Sequence, residues 1–411
     1  MKNYLTVFSK YFLNTLIFAL TCLLALRQSY LGDTAYFIDA GKKLLQGSNE
    51  YQKNALHTGS LGAITMGLVF GYLGKFSILI VTLVNISGVV LFVKDLLVDV
   101  RKEYVSIIVL LTLISSPIRE MLVTGQITGL IMGLVSLGSR LLRSSKLNWL
   151  GVCCFIVAIE LKPHFAIPLI FLFVAQEKEL KVTFFKKFLS FLAAGHLAVN
   201  IYLKSFTEID LVKNILFLTD TNITTFERSI WTLLDPLIHP YFSSFLKISL
   251  LIFFASLSKS LYSRNQIVLS SLSFLLIPLS QSYIHLYDFV WMLPFTFLLM
   301  FKGKVQNLSL ALSLISLLLL PHPYSSGRNT LIFIFLIFLL FFIIKICEIE
   351  ISTGTRILAF LLSMVLPLAY SLKNLTYQES ESVFHTLIIL LFAFPLLSLK
   401  SYSSGNSGVT P

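Results

Sequence analysis

Phe12-Leu13-Asn14-Thr15-Leu16-Ile17-Phe18-Ala19-Leu20-Thr21-Cys22-Leu23-Leu24-Ala25-Leu26 is an apolar run, and Leu31-Gly32-Asp33-Thr34-Ala35-Tyr36 follows it just past Arg27 and Gln28. As a helix, such a run reaches across a bilayer, so Asp33 falls a few residues beyond its end, where lipid meets water. Composition extends the same reading to the whole chain. Of 411 residues 56% are hydrophobic and only 13% charged, and the mean hydropathy is +0.84, whereas a soluble domain carries about a quarter charged residues. The expected fold is therefore all-α, a polytopic integral membrane helix bundle. The net charge of +12 sits in short clusters between apolar runs, which marks topology and argues against a nucleic-acid partner. Cys153 and Cys154 are adjacent, and Cys22 and Cys347 lie in two other apolar runs. Neither metal-ligand spacing nor a disulfide framework emerges, so all four read as small core residues.

The positive-inside rule orders the spans if the N-terminus, with Lys2 and Lys10, is cytoplasmic. The Asp33 loop is then outside. A second span at roughly 77–98 returns the chain to Lys94, Arg101 and Lys102, and a short run from Val105 to Ser115 leads out again to Arg119, Glu120 and Gln126. A span at about 127–142 ends at Arg140, Arg143 and Lys146, a strong inside signal. Two short helices, Trp149 to Leu161 and His164 to Ala175, flank a break at Lys162-Pro163 and return to the Lys178, Lys181, Lys186 and Lys187 cluster. A span near 184–203 precedes the longest polar loop, Lys204 to about Pro240, with Arg228, Trp231 and His239. Seven further apolar runs bring the expectation to roughly 12 to 14 membrane segments in one domain over residues 1–400. Residues 401–411 read as a disordered cytoplasmic tail, and the first helix as one retained in the mature protein.

Several of these segments together resemble a known family. Asp33 through Tyr36 and Ala40 to Leu44, Gly47 and Tyr51, then Gly125-Gln126, the basic loop Arg140 to Lys146, Leu161-Lys162-Pro163 and, further on, His285-Leu286-Tyr287 resemble, in order and spacing, the GT87 family of polyprenol-phosphate-dependent mannosyltransferases in the GT-C superfamily. The resemblance is clearest over residues 30 to 175. After Tyr51 the family usually has a Tyr-Pro-Pro segment, where this chain has Gln52-Lys53-Asn54.

The resemblance implies an integral membrane glycosyltransferase of GT-C architecture, of bacterial inner-membrane type, with its reaction centre on the extracytoplasmic side. Its partners would be a polyprenyl-phosphate sugar donor, mannose by family, and a lipid or glycan acceptor; no metal or other cofactor is implied. Deprotonating an acceptor hydroxyl as it attacks the anomeric carbon needs one placed carboxylate, and Asp33 is the candidate base. The leaving group is already a phosphate, so the second carboxylate of a glycosidase is not needed. Positive charge and donors for that phosphate are assigned to Lys162, Arg119 and His164, and sugar or acceptor contacts to Tyr36, Gln126, His285 and Tyr287.

Each residue also has a plainer role. Asp39 reads as solvated or as the partner of Lys42 or Lys43. Lys162 is either a snorkelling side chain or a functional one, and Glu160 lies two residues away. Arg119 and Glu120 read equally as a local ion pair, Gln126 as a helix-end residue, and His285 as a neighbour of an interfacial aromatic belt. Two other classes fit a multi-pass chain. A polysaccharide polymerase or ligase would rely on arginines and a histidine in the large loop, which here holds only Arg228 and His239. A transporter or flippase would show paired broken helices in two halves, and only the Lys162-Pro163 break is evident.

Overall fold

The structure is a computed structural model that describes residues 15–19, 35, 38–39, 42–43, 46, 72–73, 76–98, 100, 102–142, 144, 146–162, 178–206, 241–242, 245–246, 248–249, 252, 286–291 and 294. Of these, 89% are helical and none lies in a strand, so the described part is all-α as expected. The elements in chain order are α1 (Phe76–Leu96), α2 (Lys102–Ile114), α3 (Ser116–Thr124), α4 (Thr128–Leu142), α5 (Asn148–Leu161), α6 (Lys178–Phe206) and a 3-10 turn (Leu286–Phe289).

Helix α1 has 21 residues, about 31 Å at 1.5 Å per residue, enough to cover a hydrocarbon core of about 30 Å. Among the described residues it is the one unbroken helix long and apolar enough to cross a membrane. Its two faces differ. Phe76, Leu79, Ile80, Leu83 and Val84 form an exposed apolar stripe at helical spacing, while Asn85, Ile86, Val89 and Phe92 are buried. Large apolar side chains left open along one side suit hydrocarbon on that side and protein on the other. Helices α2 and α3 pass the same test only as a broken pair. The break falls at Ser115, whose hydroxyl donates to Thr112 O at 2.6 Å, just ahead of Pro117, which has no N–H to continue the ladder.

Three boundaries follow the sequence closely. The 77–98 run appears as Phe76–Leu96, the 127–142 run as Thr128–Leu142 and the Trp149–Leu161 run as Asn148–Leu161. Helix α5 ends as its sequence requires: Lys162 has φ −141° and ψ 96°, extended as expected for a residue whose successor is Pro163. Two segments differ from expectation. Arg119 and Glu120 lie within a helix, α3, between the 105–115 run and the 127–142 span, where no helix is expected from the sequence. The helix expected near 184–203 starts earlier: α6 runs for 29 residues from Lys178 and takes the lysines from 178 to 187 into its first turns. Lysine and glutamate are good helix formers, and no Gly or Pro falls between Lys178 and Lys187.

The described residues fall into two compact units, one drawn from Leu20–Phe92 and Met121–Thr225, the other from Met1–Ala19, Val93–Glu120 and Phe226–Pro411. In the first, the buried residues include Ile86, Val89, Ile131, Met132, Val135, Val152, Phe155 and Ile156. In the second they include Ile108, Leu111, Leu113, Ile118, Tyr287, Phe289 and Trp291. Asp33, Tyr36, His164, His285 and the 401–411 tail lie outside the described residues.

Candidate functional site

In the first unit, the polar residues gather around the turn that joins α3 to α4. Gly125 has φ 69°, the left-handed region that glycine enters without a Cβ penalty. Its N–H donates to Leu122 O, and the N–H of Gln126 to Met121 O at 3.0 Å. That pair of bonds is a Schellman motif, so Gly125-Gln126 closes helix α3. The sequence places the same dipeptide at the opening of a helix, which the structure starts two residues later, at Thr128.

Helix α4 begins without a capping side chain of its own. Ile127 precedes its first residue and offers no acceptor, so the early N–H groups need partners from elsewhere. Asn85 and Met121 supply them: Leu130 N–H donates to Asn85 Oδ1 at 2.8 Å, and Gly129 N–H to Met121 Sδ at 3.2 Å. The Asn85 amide also donates to Gln126 O at 2.7 Å. One side chain from the middle of α1 thus holds both the end of the turn and the start of the helix.

That reach depends on how closely α1 and α4 approach. A Cβ placed on Gly88 would lie 2.1 Å from Gly129 O, and one placed on Gly133 would lie 2.7 Å from Gly88 Cα. Only glycine at these positions lets the two backbones touch.

Lys162 joins this turn from the end of α5. Its ammonium donates to Thr128 Oγ1 at 3.1 Å, across 34 positions of sequence. Thr128 is buried, Gln126 is nearly so at 7% exposure, and Lys162 is half-buried. Two residues named from the sequence, Gln126 and Lys162, therefore bracket Thr128. A lysine ammonium fixed beside a hydroxyl at a helix start can attract an anion, although the Gly129 and Leu130 N–H groups already have their partners.

Two positions before Lys162, buried Glu160 accepts from or donates to His196 Nε2 of α6 at 2.5 Å. The sequence marked Glu160 only as a neighbour of Lys162. Its histidine partner is 36 positions away and carries no local signal.

The remaining candidates are placed separately. Arg119 is exposed on α3, and Tyr287 is 4% exposed in the Leu286–Phe289 turn; both belong to the second unit. That turn is tied by Trp291, whose indole N–H donates to Asp288 O at 2.8 Å, so Tyr287 sits in a packed turn. Asp39 pairs with Lys43 at 3.1 Å, one of the two partners expected from the sequence. Cys153 and Cys154 are half-buried free thiols on α5. Among the described residues no group of three His, Cys, Asp or Glu is placed to hold a metal ion.

Asn85 and Thr128 are the residues that sequence reading missed. A lone Asn inside an apolar 21-residue run is the signal that points to the first; Thr128 shows only by standing two places after Gln126. No protein-family model matches the chain, and no curated protein matches it either.

Proposed function

We propose that the protein is a multi-pass membrane glycosyltransferase that moves a sugar, mannose in the first instance, from a polyprenyl-phosphate carrier to a lipid or glycan hydroxyl on the extracytoplasmic side. The observation that carries the proposal is the Lys162 to Thr128 hydrogen bond beside Gln126. It brings together two motifs, Gly125-Gln126 and Leu161-Lys162-Pro163, that resemble the polyprenol-phosphate-dependent family. The lipid-facing stripe of α1 and the composition of the chain support a substrate held in the membrane.

In this mechanism the acceptor hydroxyl attacks the anomeric carbon, the bond from that carbon to the phosphate oxygen breaks, and the hydroxyl proton passes to the Asp33 carboxylate. Polyprenyl phosphate leaves as the anion. The Lys162 ammonium offsets the charge that develops on the phosphate oxygens, and the Thr128 hydroxyl holds that ammonium in place. No general acid is needed because the leaving group is a weak base. Arg119, His164, Tyr36, His285 and Tyr287 are assigned to the site by the resemblance alone.

Transfer of radiolabelled mannose from polyprenyl-phosphate mannose, measured in membranes with matched amounts of protein, tests the proposal. Asp33→Asn is expected to lower transfer by about a hundredfold or more, the usual contribution of a positioned base, and Lys162→Met by about tenfold or more. Equal transfer by wild type and Asp33→Asn would overturn the assigned chemistry. An active wild type that uses lipid-linked oligosaccharide and not polyprenyl-phosphate mannose would favour a polymerase or ligase.

A further inference from the structure

We propose that Asn85 is a positioning residue for the site: from the middle of α1 it fixes the turn that sets Gln126 and Thr128 beside Lys162. The inference deepens the transferase reading and rests on it for its kinetic part, while its structural part stands alone.

The two bonds of Asn85 have different jobs. Its amide N–H donates to Gln126 O at 2.7 Å, which anchors the end of the Schellman turn. Its Oδ1 accepts from Leu130 N–H at 2.8 Å, which anchors the first turn of α4. Asn85 is 1% exposed and its bond to Gln126 O is buried, so removing the side chain costs that carbonyl a hydrogen bond out of reach of water. The bonds cross 41 and 45 positions of sequence, so they tie together parts of the chain that local structure cannot align.

The Gly88, Gly129 and Gly133 contact places the two backbones near enough for so short a side chain to bridge them, and a Cβ on Gly129 would itself lie 2.4 Å from Asn85 O. A helix that needed only a polar neighbour would be served by any side chain of that length. What singles out a carboxamide is the demand for a donor and an acceptor at once, one toward a carbonyl and one toward an N–H. Between them lie Ile127 and Thr128, and Thr128 receives Lys162. Loss of the amide frees the turn to shift, and the ammonium loses its fixed seat.

Three variants of the full chain in lipid nanodiscs separate these jobs. Asn85→Leu removes both bonds. Asn85→Asp keeps the acceptor for Leu130 and turns a second acceptor toward Gln126 O. Asn85→Gln keeps both groups on a longer arm. Amide exchange over 125–132, read by mass spectrometry, is expected to rise about tenfold in Asn85→Leu. In Asn85→Asp it should return toward wild type as pH falls, because the protonated carboxyl donates again toward Gln126 O.

In the transfer assay, because Lys162 acts on charge that develops as the phosphate leaves, loss of its seat predicts a kcat lowered about tenfold with little change in the KM for the polyprenyl-phosphate sugar. A fall in kcat that reverses with pH in Asn85→Asp is something general loosening of the fold would not give.

Unchanged exchange over 125–132 in Asn85→Leu would overturn the clamp whatever the activity. Faster exchange with unchanged KM and kcat would overturn the positioning role. Absence of transfer by the wild type would sink the transferase reading and with it the kinetic role, while the exchange data still decide whether Asn85 holds the turn. Should Asn85→Leu fail to fold, Asn85→Asp across pH decides both parts.

Discussion

Helix α4 meets α1 through bare backbone, at Gly88, Gly129 and Gly133, whereas α6 meets α5 through side chains: Glu160 with His196, Lys187 with Asn148, and an edge-to-face pair of Phe155 and Phe184 with ring centroids 6.1 Å apart. Helices can associate through close contact of small residues or through interhelical hydrogen bonds. The α1 and α4 contact uses the first device, joined at one end by the Asn85 side chain to Leu130 N–H, and the α5 and α6 contact relies on the second. The first fixes a distance; the second fixes partners and tolerates adjustment, since long side chains can follow a moving helix.

The largest expected effect breaks the first contact. In Gly88→Ala the added methyl carbon would meet Gly129 O at 2.1 Å and the Gly129 carbonyl carbon at 2.9 Å. Both are backbone atoms that cannot turn aside, so the helices must part. We expect a loss of about 3 kcal/mol or more, seen as a sharp fall in the thermal stability of detergent-solubilised protein. A stability within about 0.5 kcal/mol of wild type would mean that α1 and α4 do not touch here.

A second, smaller effect is found where α4 meets α5. A Cβ on Gly151 would lie 2.8 Å from both Gly138 O and Leu142 N, but one on Gly138 would meet Gly151 O, Phe155 Cε2 and Cys154 Cβ at 3.1–3.2 Å. All three are looser than the 2.8 Å contacts at Gly151, and Phe155 Cε2 is the far end of a side chain that can give by a few tenths of an ångström. Gly151→Ala is therefore expected to cost about 2 kcal/mol and Gly138→Ala about 1 kcal/mol or less. The same melting assay orders them, and the reverse order would refute the close-approach account.

These two contacts also show how far sequence reading reaches. The helices at 76–96, 128–142 and 148–161 were legible because each is an apolar run closed by Lys, Arg or Pro, and Pro163 fixes the geometry of Lys162 by local sterics alone. Gln126 and Lys162 were legible as candidates, but their meeting at Thr128 was not, since nothing local says that residues 34 positions apart share a turn. Asn85 was passed over for the same reason. Glycines at 88, 129 and 133 look like ordinary small residues until two helices are seen to cross at them. The start of α6 was misplaced because the lysines from 178 to 187 were taken to mark the end of an apolar run, yet lysine is a good helix former and the helix begins at Lys178.

The side-chain contact supplies the third prediction, a double-mutant cycle on Glu160 and His196. A side-chain hydrogen bond is worth about 0.5–1.5 kcal/mol net, and a pair with buried Glu160 belongs in the upper half of that range. Glu160→Leu and His196→Leu are each expected to destabilise, His196→Leu the more because it leaves a buried carboxyl without this partner. The double variant should recover part of the loss, giving a coupling of about 1 kcal/mol. Strictly additive effects would show that the two side chains do not depend on each other.

The smallest effect lies at the other end of the same pair of helices. Lys187 Nζ donates to Asn148 Oδ1 at 2.9 Å, with Asn148 the first residue of α5 and Lys187 in a lysine-rich stretch of α6. Water competes for both groups at such a helix start, so exchanging the bond for hydration changes little. Asn148→Ala is expected to cost about 0.5 kcal/mol, and Lys187→Met no more. The two pairs on one interface thus give a depth scale: the same kind of bond should weaken from Glu160 toward Asn148 as water gains access. If the cycle on Lys187 and Asn148 returned a coupling as large as that on Glu160 and His196, the interface would be as dry at Asn148 as at Glu160, and water would not set its gradient.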